Sequence, residues 1–481
     1  MRSYRRILIL IIIYTKLIAA GGPVLEVTGE PYFTARILQD AVSGMDPMAD
    51  HEKVISTILD LYVERSFPLA VITLDSISER SGSKTLYLNI TANDYVRIDR
   101  LSFPGAVRTN ESILKRICGI TKGERFNEEK VKNAPLRLYR TGLFSKLPSY
   151  SIYRADGQYG IRLSVEERRF NEILLLGAYS GGEAKGEYSF SAGLRFDNIK
   201  GTMRKTAFAW NRSGSEKEDI YLSYTEPFLL TAPLSTAFEF AQKYRKDEML
   251  KRYFSARQTY SPDLIFSLKY GFSSRSIFPG GRTNRGRKIT ETRYFGGIGR
   301  SDLFEAGMIP SVAGYGYELG FSSVEIVIAD SLKSSGVEIN ADLKNSVKLR
   351  KDVFLVTAIR YEQIFMNKDL PELSRISFGG AASFRGYRED HFRSDVLIRQ
   401  TADIIYVTPS GELAFSAFAD ACQYNFRSEN AKKIKNLSAL FSFGSGIIYE
   451  RAAGVISVSA AVPAREGLQN SVLHVRYSVR F

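Results

Sequence analysis

The chain ends in Leu473-His474-Val475-Arg476-Tyr477-Ser478-Val479-Arg480-Phe481, where every second side chain is apolar. Side chains on a strand alternate between two faces, so this is a strand pattern and not a helical one. Moving back from it, Leu264, Phe266, Leu268, Tyr270 and Phe272 repeat the alternation. Leu234, Thr236, Phe238 and Phe240 do so opposite Glu239, Ala241 and Lys243. Tyr188, Phe190, Ala192, Leu194 and Phe196 oppose Glu187, Ser189, Ser191, Gly193 and Arg195. A soluble sandwich also alternates, so the period alone leaves the fold open. Three observations favour a membrane barrel. One face is Phe, Tyr, Leu and Val in most runs while the other is Arg, Lys, Glu and Ser, as lipid outside and water inside require. About sixteen runs occur from Asn171 onward, each near the ten residues that a tilted crossing needs. Connections also alternate between short ones, such as Asp197 to Gly201 and Tyr406 to Gly411, and a long one, Phe365 to Arg393. An all-β transmembrane barrel of about 16 antiparallel strands is therefore expected over residues 169–481.

Composition excludes several classes. The 481 residues carry 66 Lys+Arg against 52 Asp+Glu, a net charge of 66 − 52 = +14. With 44% apolar and 25% charged residues, the chain is neither disordered nor a bundle of membrane helices. His51, His391 and His474 lie far apart, and Cys118 and Cys422 lack metal-ligand spacing, so no metal site, cofactor or disulfide framework is expected. The two cysteines fall in different segments and read as free thiols. No Ser, His or Asp has a partner arranged for catalysis, and the chain reads as a non-enzyme. The positive excess suits lumen cations and anionic lipid phosphates. Nucleic acid, the other partner of a basic chain, is set aside for an exported barrel.

Export is read from the N-terminus. Met1-Arg2-Ser3-Tyr4-Arg5-Arg6 precedes an uncharged run from Ile7 to Tyr14 and a small-residue end at Ala19-Ala20-Gly21. This is the layout of a secretory signal peptide, assigned to 1–21, with an uncleaved anchor as the bland alternative.

Between signal and barrel the chain repeats itself. Val24 to Val27 and Ile98 to Phe103 are strand-like runs followed by Gly29 and Gly105. Each is followed by two helical patterns, Phe33 to Val42 with Asp50 to Arg65, then Asn110 to Cys118 with Asn127 to Tyr139. Two extended runs close each unit: Leu69 to Ser76 with Thr85 to Ile90, and Tyr150 to Arg154 with Gly160 to Val165. A repeated order at a fixed offset means duplicated domains, placed at 22–93 and 94–168.

The order strand, helix, helix, strand, strand resembles a POTRA domain, the periplasmic module of outer-membrane assembly and transport proteins. Tyr139, Gly142 and Phe144 resemble its Tyr…Gly-x-Phe signature; in the first unit Ser66 stands at the glycine. Within the long connection, Phe378-Gly379-Gly380-Ala381-Ala382-Ser383-Phe384-Arg385-Gly386-Tyr387-Arg388-Glu389-Asp390 resembles the inner-loop motif of the BamA/TamA barrel-assembly superfamily. Asp197 to Thr202 and Tyr224 to Phe228 resemble turns of those barrels, and Phe418 to Cys422 resembles their Phe-x-Asp-x-Gly strand with cysteine at the glycine. Tyr477, Val479 and Phe481 resemble the C-terminal signal of outer-membrane barrels.

The resemblance implies an outer-membrane location with periplasmic N-terminal domains. It implies a factor that receives extended clients on POTRA edges and inserts or translocates them at the barrel. Partners would be unfolded outer-membrane or secreted proteins, outer-membrane lipid, and periplasmic chaperones or accessory lipoproteins. The alternatives are a two-partner secretion pore exporting an extended adhesin and, more remotely, a passive porin. In the secretion group a plug helix and Pro-rich linker usually precede the first POTRA unit, whereas here Pro23 follows the signal. The loop-lid residues are Gly379, Gly380, Arg385, Gly386 and Tyr387. The resemblance further implies that Arg385 is a pin held by strand acids. Strand parity puts Asp403 and Asp420 inward as its partners, while Arg399, nearly across from Asp420, competes as a simpler counter-ion.

Overall fold

The computed structural model describes residues 24–45, 50–80, 83–180, 187–214, 216–229, 232–280, 287–302, 309, 313–329, 332–380, 383–388, 390–425 and 438–480. The signal segment 1–21, Ala381, Ala382, Glu389 and Phe481 lie outside them. The chain forms two compact units. One comprises the residues up to Gly105 with Leu114–Leu136 and Leu147–Val165; the other comprises Ala106–Ile113, Arg137–Lys146 and everything from Glu166.

The first α+β repeat places strand Ser83–Thr91 at the centre of its sheet, parallel to Val24–Glu30 and antiparallel to Val71–Arg80. Helix His51–Glu64 buries Val54, Ile58 and Tyr62, one face at four-residue spacing. These pack with Leu38, Leu86, Leu88 and Ile90 into a closed core. The helix is left at Ser66, whose φ is 72°, a left-handed conformation that favours glycine. Gly142 takes the same conformation in the second repeat, with φ 75°. Ser66 holds it with its Oγ donating to the Phe126 carbonyl at 3.0 Å and its own carbonyl accepting Val96 N–H at 2.8 Å.

The second repeat has the same plan plus one short strand. Gln158–Ser164 lies parallel to Arg97–Ser102 and antiparallel to Ser149–Ala155, with Glu124–Arg125 at the far edge. Its helices are Glu111–Cys118 and Glu128–Arg140. Among the described residues, Val71–Arg80 and Ser149–Ala155 form edges of these two sheets.

Sixteen antiparallel strands close into a barrel, from Asn171–Ser180 to Val472–Arg480. Phe266, Leu268, Tyr270 and Phe272 are exposed on its outer face, as are Leu473, Val475 and Tyr477 at the closing strand. Outward apolar rows and inward polar ones are the arrangement of a barrel whose solvent is lipid. The closing ladder runs from Val472 opposite Ser180 to Arg480 opposite Glu172. It is shorter than the ladder that runs from Gly314 opposite Ser346 to Ile328 opposite Leu332.

The turn between barrel strands Glu187–Ile199 and Arg204–Ser213 anchors a loop of the second repeat, within the same unit. Glu167 accepts the backbone N–H groups of Val107, Arg108 and Thr109 at 3.1, 2.8 and 2.8 Å. Asn110 N–H then donates to the Gly201 carbonyl at 3.0 Å, and Asn198 Nδ2 donates to Thr109 Oγ1 at 2.9 Å. Gly201 has φ 72°, and a Cβ there would stand 2.4 Å from the Arg108 carbonyl oxygen. Both facts require glycine at this turn.

Candidate functional site: a loop pinned inside the barrel

The long connection links barrel strands Val353–Met366 and Val396–Val407. It carries a 3-10 turn, Glu372–Ser374, and a small hairpin of Ile376–Phe378 with Phe392–Ser394. Gly379, Gly380 and Gly386 have φ of 120°, 94° and 89°, so the loop tip turns through conformations that only glycine adopts freely. Close approach matters too. A Cβ on Gly386 would lie 3.0 Å from Ser442 Cβ, on a barrel strand. Beside it, the Phe384 and Tyr387 rings stack at 5.2 Å and are buried with Phe378, Leu397, Cys422 and Leu440. Cys422 is a small buried filler of this cluster and, like Cys118, a free thiol.

This apolar seat places Arg385 between two carboxylates. Its Nη1 donates to Asp403 Oδ1 at 2.7 Å and its Nη2 to Asp403 Oδ2 at 3.1 Å, a two-pronged pair. Its Nε donates to Asp420 Oδ2 at 2.7 Å, and Nη2 reaches Asp420 Oδ1. The guanidinium also lies over the Phe418 ring, 3.7 Å from its centroid. Asp420 is only 2% exposed, so its charge depends on this partner. Lysine offers one point charge and no planar fork, and would not satisfy both acids.

Arg399 sits elsewhere than the sequence reading put it. Thr401, not Arg399, is opposite Asp420, and Arg399 is opposite Cys422. The turn at Thr408 to Gly411 sets the ladder two residues off the expected register. Arg399 Nη1 instead donates to the Ser383 carbonyl, holding the loop by its backbone.

A second anchor escaped the sequence reading. Asp390 accepts from Lys243 Nζ at 3.1 Å, from Arg245 Nη2 at 2.8 Å and from Ser377 Oγ at 2.9 Å. Arg245 in turn engages Asp219. A third ionic cluster lies on the strands: Glu291, fully buried, meets Arg275 at 3.0 Å and also Arg293, whose Nε donates to Glu338 at 2.8 Å. Parity placed such residues inward, but loop residues have no parity, so nothing in the sequence tied Asp390 to Lys243.

The sequence comparisons fit this geometry. The model described as an Omp85 superfamily domain matches residues 300–474, which include the loop and both pin acids. The model described as POTRA, surface antigen variable number repeat, matches residues 96–168. Residues 300–474 thus match an Omp85 superfamily domain, and together with the POTRA match this supports the Omp85 superfamily for the chain. An Omp85-type barrel is accordingly an outer-membrane β-barrel, here with POTRA-like domains before it. A Treponema pallidum (strain Nichols) protein described as a putative outer membrane protein assembly factor is 22% identical over 228 residues, 46% of this chain and 27% of that protein. The match thus spans about a quarter of that relative's length. The solved structure of BamA from Haemophilus ducreyi lacking POTRA domains 1-3 aligns with a TM-score of 0.54 at 16% identity, covering 96% of this chain and all of that one. CdiB from Escherichia coli aligns with a TM-score of 0.63 at 13% identity, and CdiB from Acinetobacter baumannii with 0.61 at 13%; each alignment covers 96% of this chain and 90% of the other. At these identities the likeness concerns the fold.

Proposed function

We propose that this Omp85-superfamily chain assembles or translocates protein clients at the outer membrane, and that insertion at the barrel seam is its specific role. The observation carrying this reading is the pinned loop. Arg385, Asp403 and Asp420 hold it within the barrel, so the lumen is occupied and a passive porin is disfavoured. A client then has two docking places of matching chemistry. Extended polypeptide adds to the free edges of Val71–Arg80 and Ser149–Ala155, where unpaired backbone groups await partners. Its strands then pair at the short seam between Asn171–Ser180 and Val472–Arg480. In this reading residues 1–21 direct export, the domains at 22–93 and 94–168 lie in the periplasm, and outer-membrane lipid, chaperones or accessory lipoproteins assist.

The test is reconstitution. Liposomes holding the full chain are mixed with an unfolded barrel client, and client folding is followed by its gel mobility before and after heating. The proposal expects faster folding than in empty liposomes, with low or erratic ion conductance. Equal rates with and without the chain would overturn it. The plan of two α+β units before sixteen strands also suits a two-partner secretion pore. That reading predicts passage of one extended adhesin through the lumen and no catalysis of barrel folding.

A further inference from the structure

We infer that the barrel carries an anion site beneath the long loop, suited to a phosphate group. A cavity of about 40 Å³ lies there, lined by Lys217, Lys243, Arg245, Lys251, Arg375 and Arg393. Only Glu248 and Asp390 among its lining residues are acidic. The cation pattern is set by the barrel register. Lys217 lies directly opposite Arg245, and Lys243 directly opposite Lys251. Like charges at facing positions destabilise a sheet.

Part of this charge is answered from within. Arg245 meets Asp219 and Asp390, Lys243 meets Asp390, and Arg393 meets Glu248 and Glu372. Lys217 and Lys251 have no carboxylate at ion-pair distance among the described residues. Lys251 Nζ donates to the Leu373 carbonyl at 3.0 Å, which supplies a hydrogen bond and no charge. The fold had an apolar option close by, since Met249, Ile277, Ile289 and Ile364 pack together with Leu370 of the loop. Two ammonium groups with no carboxylate partner among the described residues, at the rim of a polar cavity, call for an anion.

Size narrows the class. Taking roughly 10–15 Å³ per water position, the cavity admits about three or four water-sized groups. A phosphate head fits; a sugar or a base does not. A dianionic phosphate would accept from both lysines through separate oxygens. Its source is either free phosphate or a phosphorylated lipid headgroup. The inference stands independently of what the barrel does to clients.

The experiment uses the full chain refolded in detergent. Its unfolding temperature, read by heat-dependent gel mobility, is compared in sodium phosphate and in sodium chloride at equal ionic strength. Binding of inorganic phosphate is titrated directly by phosphorus NMR. The chain in nanodiscs of phosphatidic acid or phosphatidylcholine, in phosphate-free buffer, forms the lipid arm. The expectation is protection by phosphate beyond chloride, or by phosphatidic acid beyond phosphatidylcholine. Lys217→Gln with Lys251→Gln should weaken that binding by roughly tenfold, while Lys217→Arg with Lys251→Arg and the exposed control Lys333→Gln keep it. Should the glutamine pair not fold, Lys251→Gln alone and the titration of the unaltered chain decide. No preference in either arm, or equal phosphate binding by the glutamine pair, would overturn the inference.

Discussion

Arg385 answers two carboxylates at once, and its removal leaves the buried Asp420 without an ion-pair partner among the described residues. Breaking such a buried pair costs about 3 kcal/mol or more, so Arg385→Ala should lower both folded barrel level and client assembly. Arg399→Ala removes one bond to the Ser383 carbonyl and should cost about 1 kcal/mol. Heat-modifiability gels of the two variants, side by side, check the order; a silent Arg385→Ala beside a severe Arg399→Ala would refute the pin. Ser66 offers a second residue-level test. Ser66→Gly relieves a left-handed backbone but loses the bond to Phe126, and the two nearly offset. Ser66→Ala keeps the strain and loses the bond, so it should destabilise its domain by about 1 kcal/mol, seen as faster hydrogen exchange in helix His51–Glu64. The inward row of acids was legible from period-two parity. The exact partner of each was not, because a slip of two residues preserves parity while moving Arg399 from Asp420 to Cys422.

At the scale of elements, strands and helices announced themselves through period. The expected helix Asp50 to Arg65 is His51–Glu64, and the expected run Gly160 to Val165 is Gln158–Ser164. What period does not reveal is how a connection folds. The stretch from Phe365 to Arg393 reads as one long loop, yet it contains a hairpin, a 3-10 turn and an apolar seat for Tyr387. The anchoring turn at Asn198 to Met203 was recognisable by motif, but its grip on Thr109 and Asn110 rests on contacts distant in sequence. Gly201→Val combines an unfavourable φ with overlap on the Arg108 carbonyl. It should free the loop Ala106–Ile113, measured as increased proteolysis there with the barrel still heat-modifiable. Deleting Phe481, which the sequence likens to the C-terminal signal of outer-membrane barrels, should sharply reduce the outer-membrane level of the chain itself, since aromatics of that kind anchor strands at the interface.

For the whole molecule, duplication and alternation gave the plan, because each is a pattern repeated many times over the chain. The barrel was expected from the alternation, and it closes where Val472–Arg480 pairs with Asn171–Ser180; the register of that seam was not readable, since no single strand states its partner. Removing Pro23 to Asn93 should leave the barrel folded and reduce client assembly, checked by gel mobility and by the liposome assay together. The role of the seam is tested by locking it. Gly177 and Val475 are register partners across it, and replacing both with cysteine allows a disulfide to join the two strands. The native Cys118 and Cys422 are buried and do not compete. Client folding in liposomes is then measured with the seam oxidised and after reduction. The account predicts that folding falls to the empty-liposome rate when locked and recovers on reduction. Client folding at the full rate through a locked seam would contradict it.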